Sequence, residues 1–342
     1  MKSILYPAVL LIGLLLFSAC ENQVTMKTLV QEDGSLEKTI ILEKTGLHQA
    51  EENMFGINEQ TGWTAQVIKL DSGDDKYRIE FKKNFTSVDE VNLELDRETD
   101  TLFRIHSTFE KQFRWFYTYI RYSETIRPIN RFKIIATDDY FNREDHAFID
   151  RLPGEGTPIS KADSVFLEVL NGKMTERFVD MAIYYEINEI LNEVAHRNNL
   201  DKKWLDTLKN NLDLASDIVE SFKGNKENNK FQQVVDSLVL NNPKAEKDIE
   251  TLASELENRR DFMGSAYYTS YRIETQLPWE ISSSNADSIS GNTLIWRPLA
   301  TKFAIKPYTM YAESRQLNLW AVVISIVIVA STGFVFLRKP KP

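Results

Sequence analysis

The chain is apolar at both ends and polar between them, and this arrangement limits what it can fold into more than any other feature. Lys2 precedes an uncharged, largely apolar run from Ile4 to Phe17, which is followed by the small residues Ser18 and Ala19. A charged start, a short apolar core and small residues before a cleavage point define a secretory signal over residues 1–19. The run is too short to be a comfortable membrane span. The second apolar stretch, Leu317 to Leu337, carries no charge. At about 1.5 Å per residue, its roughly 20 residues match a hydrocarbon core of about 30 Å. Trp320 stands at the outer edge, where interfacial aromatics collect, and Arg338, Lys339 and Lys341 follow the stretch at once. The positive-inside rule places the tail, residues 338–342, in the cytoplasm. A signal at the start and a stop-transfer helix over 317–337 together predict that the middle is translocated, to the periplasmic or extracellular face. A buried core helix rarely stays uncharged for this long, and a GPI signal does not end in a basic cluster.

Cys20 is the only cysteine in 342 residues. It follows Ser18-Ala19 directly, the place where a bacterial lipoprotein signal sets the cysteine that is acylated and becomes the mature N-terminus. The segment resembles that lipobox, with Phe17 where Leu is usual. The competing reading is an ordinary signal cut after Ala19. A single leftover cysteine in a secreted chain calls for an explanation, and lipid attachment at Cys20 supplies one. A single cysteine leaves no disulfide within the chain, so the fold must be held by its core.

All 50 Asp and Glu lie between the two apolar ends, against 37 of the 41 Lys and Arg, a balance of −13 for the middle. That charge argues against nucleic acid as a partner and against charge-driven binding of anionic headgroups. The length allows one large domain or two smaller ones.

From Val24 to about Tyr140 the pattern is strands and turns. Val24–Val30 and Leu36–Leu42 flank Asp33-Gly34-Ser35, a strong hairpin signal. A second hairpin is expected around Asp71–Asp75, between Trp63–Leu70 and Lys76–Phe85; those aspartates lack the spacing of a calcium loop. Leu102–Phe109 and Phe113–Tyr122 read as two further strands. From about Ser160 the period becomes helical: Val165, Phe166, Val169, Leu170, Met174, Phe178, Met181, Ala182, Tyr185, Ile190, Leu191 and Val194 recur at three- and four-residue steps, with a break marked by Gly172. Helices from Lys202 (capped by Asp201), around Phe231–Leu238 and from Pro243 follow. The β pattern returns at Gly264, with closing strands at Thr293–Trp296 and Lys302–Tyr308. The expected fold class is α+β: an antiparallel β-sheet domain interrupted by a helical subdomain and followed by one C-terminal transmembrane helix. The parts are a β-rich extracytoplasmic segment 20–159, a helical insertion 160–262, and a β-rich segment 263–316 that rejoins the first sheet. Two independent domains are the alternative.

No catalytic constellation stands out. The chain has no G-x-S-x-G, no S-x-x-K and no glycine-rich phosphate loop. Glu193 and His196 form an i, i+3 pair, with Glu186 and Glu189 on nearby turns, but a di-iron bundle needs a second Glu-x-x-His that the chain lacks. A solvated acidic helix face is the expectation there, and no metal or other cofactor is called for. The densest aromatic run is Phe113-Arg114-Trp115-Phe116-Tyr117-Thr118-Tyr119-Ile120-Arg121-Tyr122. As one strand it is apolar on both faces and belongs near the centre of a packed sheet. The sharper reading makes Trp115, Tyr117 and Tyr119 an aromatic platform for a ligand.

The order of Cys20, the Asp33-Gly34-Ser35 hairpin, the run Ser290-Gly291-Asn292-Thr293-Leu294-Ile295-Trp296 and the stretch from Trp320 to Lys341 resembles LppM-type bacterial lipoproteins. The matching parts cover about a third of the chain, and the helical segment is a departure from that pattern. The resemblance implies a non-enzymatic envelope protein and transfers no functional residue. The leading expectation is a non-catalytic protein-binding or accessory component of the envelope, with the membrane and another envelope protein as partners. The alternative is a binding module for a lipid or other apolar ligand, held between sheet and helices; an enzyme ranks third.

Overall fold

The computed structural model describes residues 22–45, 53–70, 76–200 and 242–338. Cys20, the Asp71–Asp75 turn and the helices expected from Lys202 and around Phe231–Leu238 lie outside the described residues. The described chain is α+β, with two sheets, a group of helices and one C-terminal apolar helix. The first sheet has seven strands: β1 (Asn22–Val30), β2 (Leu36–Thr45), β3 (Thr64–Lys69), β4 (Lys76–Phe85), β7 (Thr269–Gln276), β9 (Ser288–Ser290) and β10 (Thr293–Trp296), in the order β3-β4-β2-β1-β7-β10-β9. The second has β5 (Ile105–Phe113), β6 (Tyr117–Ile126), β8 (Glu280–Ser284) and β11 (Tyr308–Leu317), in the order β5-β6-β11-β8. Strands from before and after the helical segment therefore share both sheets. Every pairing is antiparallel except β1 with β7. The chain between these two strands, residues 31–268, runs through β2 to β6 and then the helices before β7 comes back beside β1, a long connection of the kind that a parallel pair requires.

Alternation decides which faces are buried. Val24, Met26, Thr28 and Val30 of β1 point inward, as do Leu36, Lys38, Ile40 and Leu42 of β2 and Thr118, Ile120, Tyr122, Glu124 and Ile126 of β6. The inner faces meet in one continuous core that also takes in the helices. The β1–β2 hairpin turns at Asp33-Gly34-Ser35: Gln31 N–H donates to the Ser35 carbonyl (2.9 Å), and the Asp33 carboxylate accepts from Ser35 N–H (3.0 Å). Gly34 has φ +89°, a left-handed conformation that glycine adopts without strain.

Helix α1 (Val88–Leu95) was not expected from alternation. Ser87 caps it, and it packs on β5, where the Asn92 side chain bonds both the N–H (2.7 Å) and the carbonyl (2.9 Å) of Ser107. An edge strand is thereby covered. Helix α2 (Arg143–Arg151) opens with a capping box between Asn142 and Asp145. Helix α3 (Lys161–Gly172) does not stop at Gly172; it widens into a π-helical stretch, Lys173–Phe178, and resumes as α4 (Val179–Arg197). Helix α5 (Pro243–Tyr267) has Pro243 in its first turn and Asn242 as its cap. It runs through Gly264, so the β pattern resumes at Thr269 rather than at Gly264. The closing strand also shifts. Ala300–Phe303 is a 3-10 turn, and the strand is β11, which leads through the single residue Asn318 into helix α6 (Leu319–Leu337). Helix α6 is long and apolar enough to cross a membrane, with a mean hydropathy of 2.4 and almost none of it buried.

Candidate functional site

Of the residues singled out in the sequence, Cys20 lies outside the described residues, and Trp115, Tyr117 and Tyr119 fall at one place, the junction of the second sheet with α6. They do not form one strand. Strand β5 ends at Phe113, Trp115-Phe116 is the loop, and β6 starts at Tyr117. The expectation of a two-faced central strand over Phe113–Tyr122 is corrected accordingly. Strand β6 is interior to its sheet, but Tyr117, Tyr119 and Arg121 point outward, and Phe113, Trp115 and Phe116 are each about half exposed at the tip (57, 47 and 47%).

The loop lacks the Gly, Asn or Asp that a two-residue hairpin normally uses. A distant residue supplies what the loop lacks. Asn318 donates its backbone N–H to the Phe116 carbonyl (2.8 Å) and its side-chain amide to the carbonyls of Arg114 (2.8 Å) and Trp115 (3.2 Å). Its amide oxygen accepts from the Thr118 hydroxyl (2.9 Å). Asparagine is a good helix cap, yet here the side chain caps nothing in α6, because it is committed to the hairpin. The tip then lies along the helix. Phe113 stacks on Trp320 (5.9 Å between ring centroids), Trp115 meets the same ring edge-on (5.5 Å), and the Trp115 indole N–H donates to the Ser325 hydroxyl (3.0 Å). Arg114 stacks on Tyr119 and Arg315 on Tyr117, each at 5.2 Å.

The alternative reading places an apolar ligand between sheet and helices, and the structure has a cleft there, but not at Trp115, Tyr117 or Tyr119. A cleft of about 150 Å³ opens between the helices and the chain segments that flank the second sheet, lined mainly by Phe132, Met174, Phe178, Met263, Tyr267 and Ile305. The π-helical stretch contributes Met174 and Phe178; such stretches widen a helix and are common at functional sites. An ion pair holds the walls in place. Arg259 of α5 bonds Glu186 of α4 (2.8 Å) and the Arg131 carbonyl (3.1 Å), while Glu186 accepts from the backbone N–H groups of Lys133 and Ile134. Glu186 is thus buried and paired, and does not belong to a solvated acidic face. The polar groups at the cleft are few. Tyr267 donates to Asn171 (2.9 Å), and burial raises its phenol above the usual value, so it serves as a neutral donor.

One further ionisable cluster lies in the core. Lys38 of β2 pairs with Glu124 of β6, which also accepts from the hydroxyls of Thr28 (2.8 Å) and Tyr122. Burial alone would raise the Glu124 carboxyl, but the charge and hydrogen bond of Lys38, with those of Tyr122 and Thr28, hold it below the usual range. At 4% and 2% side-chain exposure, this pair has no room for a substrate. Among the described residues no group of three or more His, Cys, Asp or Glu comes together to hold a metal, and Glu193 pairs with Arg197. Compared with known proteins, the chain matches no family model, and no curated protein or solved structure gives a match.

Proposed function

We propose that the chain is a non-catalytic, membrane-anchored component of the bacterial cell envelope that binds another protein. In this reading the signal is removed before Cys20, Cys20 carries lipid, α6 spans the cytoplasmic membrane, and the ectodomain stands on the outer face with the basic tail inside. The hydropathy of α6 and the charge pattern around it support the anchoring. The LppM-type resemblance belongs to the same proposal.

The observation that supports a protein rather than a lipid ligand is the size of the cleft. Pockets that enclose a drug-sized or larger molecule run to roughly 300–1,000 Å³. At about 150 Å³ this one suits a single ring or branched aliphatic group, as an apolar cavity of about that volume takes up benzene. One or two anchor side chains of a partner fit it, since binding energy at interfaces concentrates in a few such residues. Exposed Tyr268 stands at its rim, with Val165 and Val169 exposed on α3.

The test is photocrosslinking in native membranes, with a benzophenone amino acid in place of Tyr268. A discrete protein adduct, lost when Met263→Trp fills the cleft, is the expected result. Adducts to lipid alone, or a protein adduct indifferent to Met263→Trp, would overturn the reading.

A further inference from the structure

We propose that the β5–β6 hairpin is a membrane-inserted wedge, and that the outer leaflet of the bilayer is the ligand of its aromatic tip. The argument starts from depth. Ser325 lies six residues beyond Leu319, the first residue of α6. At about 1.5 Å per residue, that is about 9 Å along the helix. The Trp115 indole bonds the Ser325 hydroxyl, and Phe113 and Trp115 flank Trp320. If α6 crosses a membrane with its apolar length of about 28 Å filling the hydrocarbon, a side chain touching Ser325 is below the headgroups. The tip goes where the helix goes, because Asn318 ties the carbonyls of Arg114, Trp115 and Phe116 to the first residue before the helix.

The chemistry of the tip agrees with that depth. Phe113, Trp115 and Phe116 are about half exposed, continuous with the exposed apolar surface of Leu317, Leu319 and Trp320. Insertion of this kind buries apolar side chains about 5–10 Å into the headgroup and acyl boundary, which matches the reach to Ser325. Above the tip the character changes in the order a bilayer demands. Tyr117 and Tyr119 come next, under Arg315 and Arg114, and neither arginine has an ion-pair partner within 4 Å among the described residues. Glu313, the nearby carboxylate, is already bonded to Arg121 at 2.7 Å. Tyrosine and tryptophan favour the interface, and a guanidinium there meets lipid phosphate in a bidentate fashion. The −13 balance of the middle segment opposes long-range attraction to an anionic surface, but contact here is imposed by the covalent span rather than by charge. The wedge makes the ectodomain's orientation on the membrane fixed instead of tethered.

The full chain reconstituted in phosphatidylcholine nanodiscs, with no other protein present, tests this. A benzophenone amino acid replaces Phe116, Trp320 or Tyr311 in turn. Tyr311 is exposed and six residues back along β11 from Leu317, about 20 Å away at strand rise. Lipid adducts are expected at positions 116 and 320 and lost at 311. Lipid adducts at 320 alone, a chain-to-chain adduct at 116, or none at either position would each overturn the proposal. As an independent measurement, Phe116→Cys should lose reaction with a membrane-impermeant maleimide in the discs while Tyr311→Cys keeps it; equal labelling would overturn it too.

Discussion

Replacing Lys38 with Met separates what the buried pair does from what its surroundings do. Lys38 and Glu124 join the two sheets across the core, and Lys38 also bonds the Thr28 hydroxyl at 3.1 Å. Methionine keeps most of the apolar stem of lysine and removes the ammonium. Glu124 is then left charged, 2% exposed, with only the hydroxyls of Thr28 and Tyr122 as donors. Breaking a buried pair on one side costs about 3–5 kcal/mol. For a folded part of roughly 300 residues, at about 2.1 cal/mol/K per residue, that corresponds to a fall of about 5–8 °C in Tm. Lys38→Met combined with Glu124→Gln removes both charges and keeps an amide oxygen for the two hydroxyls. Most of the loss should return, since replacing both members of a buried pair is often neutral.

The pH dependence carries the sharper prediction. In the native chain the folded Glu124 carboxyl lies below its unfolded value. Its contribution is therefore complete above about pH 4.3 and fades as pH falls through the folded value. In Lys38→Met the order inverts: burial raises the folded carboxyl, the folded state takes up a proton first, and stability is lost as pH rises. The gap between variant and native chain should be widest near pH 7.5 and shrink toward pH 5. Thermal unfolding of the full chain in detergent, followed by circular dichroism across that range, reads both effects. A Lys38→Met variant within about 1 kcal/mol of the native chain at pH 7.5, well under the expected cost, or a loss of equal size at pH 5, refutes the account.

Gly34→Ala should cost about 1–3 kcal/mol, because φ is +89° and the new Cβ comes within 3.0 Å of the Phe109 ring. Gly291→Ala, with φ +60° and open space around it, should cost only the backbone part, about 1 kcal/mol, and equal losses in thermal unfolding would contradict the role of Phe109. Asn318→Ala removes the bonds to the Arg114 and Trp115 carbonyls and to Thr118. Amide hydrogen exchange should rise in the β5–β6 hairpin, by an opening energy of about 1–3 kcal/mol, with the first sheet unchanged. Asp96 is drawn up by burial, but hydrogen bonds and charge from Arg127, with Arg104 and His106, hold its carboxyl below the usual range. Asp96→Asn should therefore destabilise the chain at neutral pH, and the difference should begin to shrink below about pH 3.9, the unfolded value, and be lost as pH falls through the lower folded value.

What was legible in the sequence is what nearest neighbours decide. The alternation of β1, β2, β4 and β7, the Asp-Gly hairpin and the 3.6-residue stripe of α3 to α5 each need only a water side and a core side. Two short helices were also written locally, though in caps rather than stripes. Ser87 stands three residues before Glu90, and Asn142 three before Asp145, each ahead of buried Val91 and Phe148. The residues that line the cleft were not legible, because Met174, Phe178 and Met263 look alike in the sequence whether the space between them is filled or open. The aromatic run shows the limit most clearly. Read alone, Phe113 to Tyr122 is one strand, since it contains no turn former. The structure breaks it at Trp115-Phe116, where β5 folds back on β6, and Asn318, some 200 positions away, bonds the carbonyls of that loop. That long-range bond also explains why exposed aromatics are stable there: the partner that places them carries the apolar helix in its next residue. Sequence period reports whether a side chain faces water or core. It has no symbol for a third solvent, so the exposed aromatics of the hairpin tip carry the same pattern as core residues.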